Sequence, residues 1–138
     1  MRWAWTGSRA PFAAGQFKRF TRIQELFIAS DVLATVHDGD EIGCGGCNGV
    51  DEIVIQTGLL LRETLYPNLK VVVWPADGER TWELLRADIL LIRRCDEVHW
   101  RENGWKFLEL DRALVEWAEK VRAMPKPATR YGGSSVMS

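Results

Sequence analysis

No apolar run in this chain approaches the roughly 20 residues that a membrane-spanning helix needs; Ile89–Ile92 is typical of its longest. A membrane is therefore not an expected partner. Charge of one sign is also missing. Lys and Arg number 18 against 19 Asp and Glu, for a net charge of -1. A protein that holds nucleic acid through its phosphates needs a basic surplus to displace counterions, so that partner is not expected either. Cysteine is scarce and odd in number, with three in the chain, which excludes a disulfide framework and suits a reducing, cytoplasmic setting. The opening residues, Met1 to Gly7, carry no sustained apolar stretch, so no secretory signal is expected. Internal repeats and low-complexity tracts are absent.

What remains is an ordinary globular composition. The chain has 138 residues, 46% apolar and 27% charged, which is enough for one folded domain and rules out wholesale disorder. Residues 1–124 are expected to form that domain. Residues 125–138, opening on Pro125 and Pro127 and ending in Gly, Ser and Met, read as a flexible tail.

Hydrophobic spacing and punctuation alternate along the domain. Residues 2–6 read as a strand ending in Gly7-Ser8-Arg9. Residues 17–33 place Phe17, Phe20, Ile23, Leu26, Phe27 and Leu33 near helical spacing, and 34–37 read as a second strand. Residues 38–48 form a Gly-, Cys- and Asp-rich loop, 49–66 a helix stopped by Pro67, and 69–74 a valine-rich strand suited to burial on both faces. A helix is expected from Thr81 to about Arg94, a strand over 96–100, and a long helix over 105–124. This rhythm predicts an α/β domain with a parallel sheet and helices on both faces. Such sheets bind ligands at the carboxyl ends of their strands, where the loops at 7–9, 37–51 and 75–80 would converge.

Each loop carries residues with usable chemistry. Gly7 allows close backbone approach, Ser8 offers a hydroxyl, and Arg9 a planar fork for phosphate or carboxylate; an ordinary turn with a solvated Arg explains them as well. In Gly43-Cys44-Gly45-Gly46-Cys47-Asn48-Gly49-Val50-Asp51, four glycines let backbone N–H groups turn toward one point ahead of a helix N-terminus. Asp51 there caps the helix or accepts from ribose hydroxyls. Neither a dinucleotide fingerprint nor a P-loop is present. Cys44 and Cys47 lack a second Cys-x-x-Cys, so no structural zinc ribbon is supported and no cofactor is expected; the alternative is a site completed by His37 and His99. Asp77 follows Pro75 on the ligand edge. Arg86 either crosses to a phosphate or pairs with Glu83 or Glu79 on a solvated face. Trp3 and Trp5 share one sheet face, suiting an edge or a homo-oligomer contact, and Trp74 and Trp100 end strands where they could stack on a base.

Gly7-Ser8-Arg9, Gly49-Val50-Asp51 and Pro75-Ala76-Asp77, each after an expected strand, together resemble the small stand-alone domains of the SLOG superfamily over about residues 2–100. These domains occur in bacteria and their phages. The resemblance implies a three-layer Rossmann-like fold with a mainly parallel sheet of four to five strands. It also implies a nucleotide or nucleotide-derived ligand held by Gly7, Ser8, Arg9, Gly46, Gly49, Asp51, Pro75, Asp77 and Arg86. The chain departs from the family in the Cys-Gly segment before Gly49, in Val50 for the usual Ala, and in Ala87 for the Asn that commonly follows the Arg. The Gly-Gly-x-Gly-Thr-x-x-Glu signature of the family's phosphoribohydrolases is absent. A binding or sensing module is the leading expectation. The alternative is an N-glycosidic hydrolase or deoxyribosyltransferase-like enzyme, with Asp51, Asp77 and Glu83 as its carboxylates and His37 as an acid.

Overall fold

The computed structural model describes residues 1–7, 12–13, 16–17, 20–75, 87–101 and 105–124. In chain order the elements are β1 (Arg2–Thr6), β2 (Phe12–Ala13), β3 (Gln16–Phe17), α1 (Arg22–Thr35), β4 (Glu41–Cys44) and α2 (Val50–Thr64). They continue with β5 (Lys70–Val73), α3 (Ile89–Ile92), β6 (Glu97–Val98), α4 (Phe107–Trp117) and β7 (Lys120–Ala123). Five strands form one sheet in the order β6-β5-β4-β1-β7, every neighbouring pair parallel. The short β2–β3 pair is antiparallel and separate. This is the expected Rossmann-like α/β architecture.

Alternation along the strands builds a core on each face. Trp5 of β1 and Ile42 of β4 pack with Ile28 and Val32 of α1 and Val54 of α2. On the other face Ala4 and Val72 meet Leu110 and Leu114 of α4. Val71 and Val73, flanking Val72 on β5, join Ile55 and Leu59 of α2 and Ile92 of α3. Both faces of the valine strand are thus covered, as its composition requires. Gly43 faces α4 because the Trp117 ring lies where a side chain would start: a Cβ there would meet Trp117 Cζ3 at 2.5 Å.

Several boundaries differ from the sequence expectation. Residues 34 and 35 continue α1, Ala34 through its high helix propensity and Thr35 with its hydroxyl donating to the Asp31 carbonyl at 2.6 Å. The second sheet strand is instead Glu41–Cys44. A strand containing Gly43 reads as loop, since glycine is depleted from strands, and the reason for that glycine is Trp117, far away in sequence. The final helix stops at Trp117, and Lys120–Ala123 becomes an edge strand paired to β1. Leu110, Leu114, Trp117 and Val121 keep helical spacing across that break, with no Gly or Pro to mark it. β1 is paired on both sides and Trp5 is fully buried, so Trp5 serves neither an edge nor an outside contact; the Trp3 and Trp5 indoles donate to Asp40 Oδ2 at 3.2 Å and Asp31 Oδ2 at 2.9 Å. Among the described residues no helix is long and apolar enough to cross a membrane.

Candidate functional site at the carboxyl edge of the sheet

Strand order reverses at β1, which lies between β4 and β7. In an open parallel sheet the crevice beside such a reversal, outside the carboxyl ends, is the usual ligand position. Gly7 stands there at the end of β1. A Cβ on it would sit 2.6 Å from Val50 Cγ2 and 2.8 Å from Val50 Cβ. The glycine therefore lets the first residue of α2 press against the end of β1, bringing the helix N-terminus to the same edge. Gly49 precedes that helix at φ 88° and supplies no side chain to cap it. The Gly7→Ala variant should lose about 1–3 kcal/mol of stability in urea unfolding, because the stiff branched Val50 cannot yield without moving α2. An unchanged midpoint would show that α2 does not depend on this contact.

The glycine loop is held from inside by Asp51. Its carboxylate folds back from the first turn of α2, and Oδ2 accepts the Cys47 N–H at 3.2 Å. The residue is only 8% exposed. Burial, aided by the negative charge of Asp111 on α4, pushes its carboxyl up to about 7 against the pull of the Cys47 and Gly45 N–H groups. Neither simple alternative for Asp51 anticipated this inward clasp. Gly46, at φ 64°, approaches Pro75: a Cβ would lie 3.3 Å from the Pro75 Cα. Its carbonyl also accepts the Ala87 N–H at 2.9 Å. Gly46 and Pro75 are thus brought together, as are Gly7 and the start of α2. Ser8, Arg9, Asp77, Glu83 and Arg86 lie outside the described residues.

The four alternative metal ligands are not assembled. His37 stands at the amino edge, because β4 begins only at Glu41; its side chain is 82% exposed, with Nδ1 4.0 Å from Asp40 Oδ2. Cys44 faces the α2–α3 core and Cys47 the α4 core, on opposite sides of the sheet. His99 stacks on Trp74 with ring centroids 4.6 Å apart. Among the described residues no group of three or more His, Cys, Asp or Glu could hold a metal. Burial raises the Cys44 thiol well above its ordinary value and pushes Cys95 up to about 12, the opposite of a reactive thiolate.

The tryptophans at the edge divide. Trp74 is buried between His99 and Trp117, so its faces serve the core, whereas Trp100 is exposed. Sequence reasoning missed the part of Asp111, whose charge bears on Asp51 from α4; no local signal places that helix over the loop. Arg101, over the Trp105 ring at 3.8 Å, was likewise unmarked. No family model matches the chain, and comparison with curated proteins finds no match.

Proposed function

We propose that this chain binds a nucleotide or nucleotide-derived small molecule at the carboxyl edge of its sheet, as a ligand-binding or sensing module of the SLOG type. The observation that carries the reading is the contact of Gly7 with Val50. It aligns the uncapped N-terminus of a 15-residue helix with the end of the strand at which the sheet order reverses. Free N–H groups and the helix dipole favour an anion there. Arg9, two residues beyond Gly7, is the cation in reach of that edge by chain length alone. A phosphate between them would gain charge-assisted hydrogen bonds of about 1.5–3 kcal/mol each. Asp77 would take ribose or base polar groups, Asp51 being turned inward to the Cys47 N–H.

A nucleotide panel screened by thermal shift, with product analysis of every hit, tests this reading. Arg9→Ala should weaken a phosphate-bearing ligand roughly tenfold or more and leave folding nearly unchanged. The parent nucleoside should be almost indifferent to the same change. Equal losses for both ligands, or none, would remove Arg9 from the phosphate role. The N-glycosidic alternative needs a carboxylate open to the ligand, which Asp51, buried and bonded inward to the Cys47 N–H, does not offer. Release of free base from a hit would establish that reaction instead.

A further inference from the structure

Helix α1 is apolar on its outer face as well as on the face that meets the sheet. Ile28 and Val32 meet the sheet, and Asp31 turns sideways to Trp5 and Arg122. The opposite face carries Ile23, Leu26, Phe27, Ser30, Leu33 and Ala34, all exposed and none charged. Ile23 is 79% exposed, Phe27 59% and Leu26 57%. Scattered exposed leucines are normal, but a whole helix face of them is not.

We propose that this face of α1 is a self-association surface, on which a second copy of the chain docks its own α1 antiparallel about a two-fold axis. The order of side-chain sizes along the helix selects that partner and that direction. Large Ile23 and Phe27 occupy the first half of the central ridge, and small Ser30 and Ala34 the second half. Antiparallel pairing seats Ile23 against Ala34 and Phe27 against Ser30, knob into space, whereas parallel pairing sets Phe27 against Phe27. A two-fold contact must be complementary to itself, and this one is.

Charge agrees with shape. Arg22 opens the helix and exposed Asp38, which also accepts from the Asn68 backbone and side-chain N–H groups, follows its end, so the antiparallel arrangement brings unlike charges together at both ends. The antiparallel helix dipoles oppose one another favourably as well. In area, the four large side chains expose about 450 Å² per copy, roughly half of the ~800 Å² each partner gives to a standard interface. Exposed Arg22, His37 and Asp38 supply polar groups at the two ends of that apolar centre.

Sedimentation of the full chain over about 1–200 µM tests the proposal, a range that spans interfaces of this size. Wild type should shift from monomer to dimer with concentration. Phe27→Glu should raise the dissociation constant about 30-fold or more, as loss of a central aromatic anchor does. Ser30→Phe should dissociate the dimer too, by filling the space that Phe27 of the second copy needs. Both positions are exposed, so circular dichroism melting should be unchanged at a concentration low enough that wild type is monomeric. A wild type that stays monomeric overturns the proposal, whether the face is then bare or covered by residues 125–138. A dimer that survives either substitution overturns it as well.

Discussion

Truncation of Trp5 to alanine should cost about 3–5 kcal/mol, a large part of the roughly 5–15 kcal/mol that holds a domain of this size together. Trp5 is fully buried at the centre of β1 and packs within the core that α1 and α2 share with the sheet. Its indole N–H donates to Asp31 Oδ2 at 2.9 Å, and Arg122 on β7 donates to both oxygens of the same carboxylate, at 2.9 and 2.5 Å. The ring therefore fills the core and helps to anchor the carboxylate that ties the edge strand to α1. Trp5→Phe separates the two roles, since it keeps most of the ring and removes only the hydrogen bond. That variant should lose about 1–2 kcal/mol, because Arg122 still holds Asp31. Urea unfolding followed by circular dichroism reads both variants. Equal losses for Ala and Phe would mean that the hydrogen bond, rather than the packing, carries the effect.

The legible parts of this fold were those written in local chemistry. The valine run of β5, the Pro67 stop and the aromatic β1 were expected nearly as they occur, and so was their parallel arrangement. The illegible parts were set by distant partners. Gly43 lies in a strand because a tryptophan from α4 occupies the space of its side chain. The apolar spacing of α1 held as helix only from Arg22, Phe17 falling in β3, and of its apolar residues Ile23, Leu26, Phe27 and Leu33 are exposed while Ile28 and Val32 are buried. Periodicity marks an apolar face without saying what covers it. At the candidate site, the Gly7 turn and the glycine loop were visible as punctuation. The inward turn of Asp51 was not, because it depends on burial beneath α4, whose Leu110 covers the loop beside Asp51 at Gly45.

That burial gives Asp51 a pH signature of its own. Its carboxyl is raised from 3.8 to about 7 in the folded chain, chiefly by desolvation. Below pH 3.8 it is protonated folded and unfolded, and its contribution to stability is fully present. Between about pH 4 and 7 the unfolded chain releases this proton while the folded chain keeps it, so stability falls with rising pH. The loss is complete above pH 7 and reaches at most about 4 kcal/mol. Asp31 and Asp40 act in the opposite sense. The Arg122 hydrogen bond lowers Asp31. Asp40 is lowered despite its burial by its hydrogen bonds from His37 and Trp3 and by the chain's amino terminus. Their stabilisation is present above pH 3.8 and is lost as pH falls through their lowered values. From these three groups, stability should therefore peak near pH 4 and fall steadily from there to pH 7. Asp51→Asn retains a side-chain oxygen for the Cys47 N–H without a titrating charge, so its fall from pH 5 to 8 should largely disappear. Any fixed cost of orienting the amide displaces its whole curve and leaves the slope untouched. Asp51→Ala removes the acceptor of the Cys47 N–H as well as the charge, flattening the same slope at a fixed cost of about 1–3 kcal/mol across the range. Chemical unfolding midpoints of the three proteins at pH 5, 6, 7 and 8 decide the matter. Parallel curves for wild type and Asp51→Asn would mean that Asp51 is already ionised at pH 5, and that the glycine loop is clasped by a charge rather than by a neutral acid.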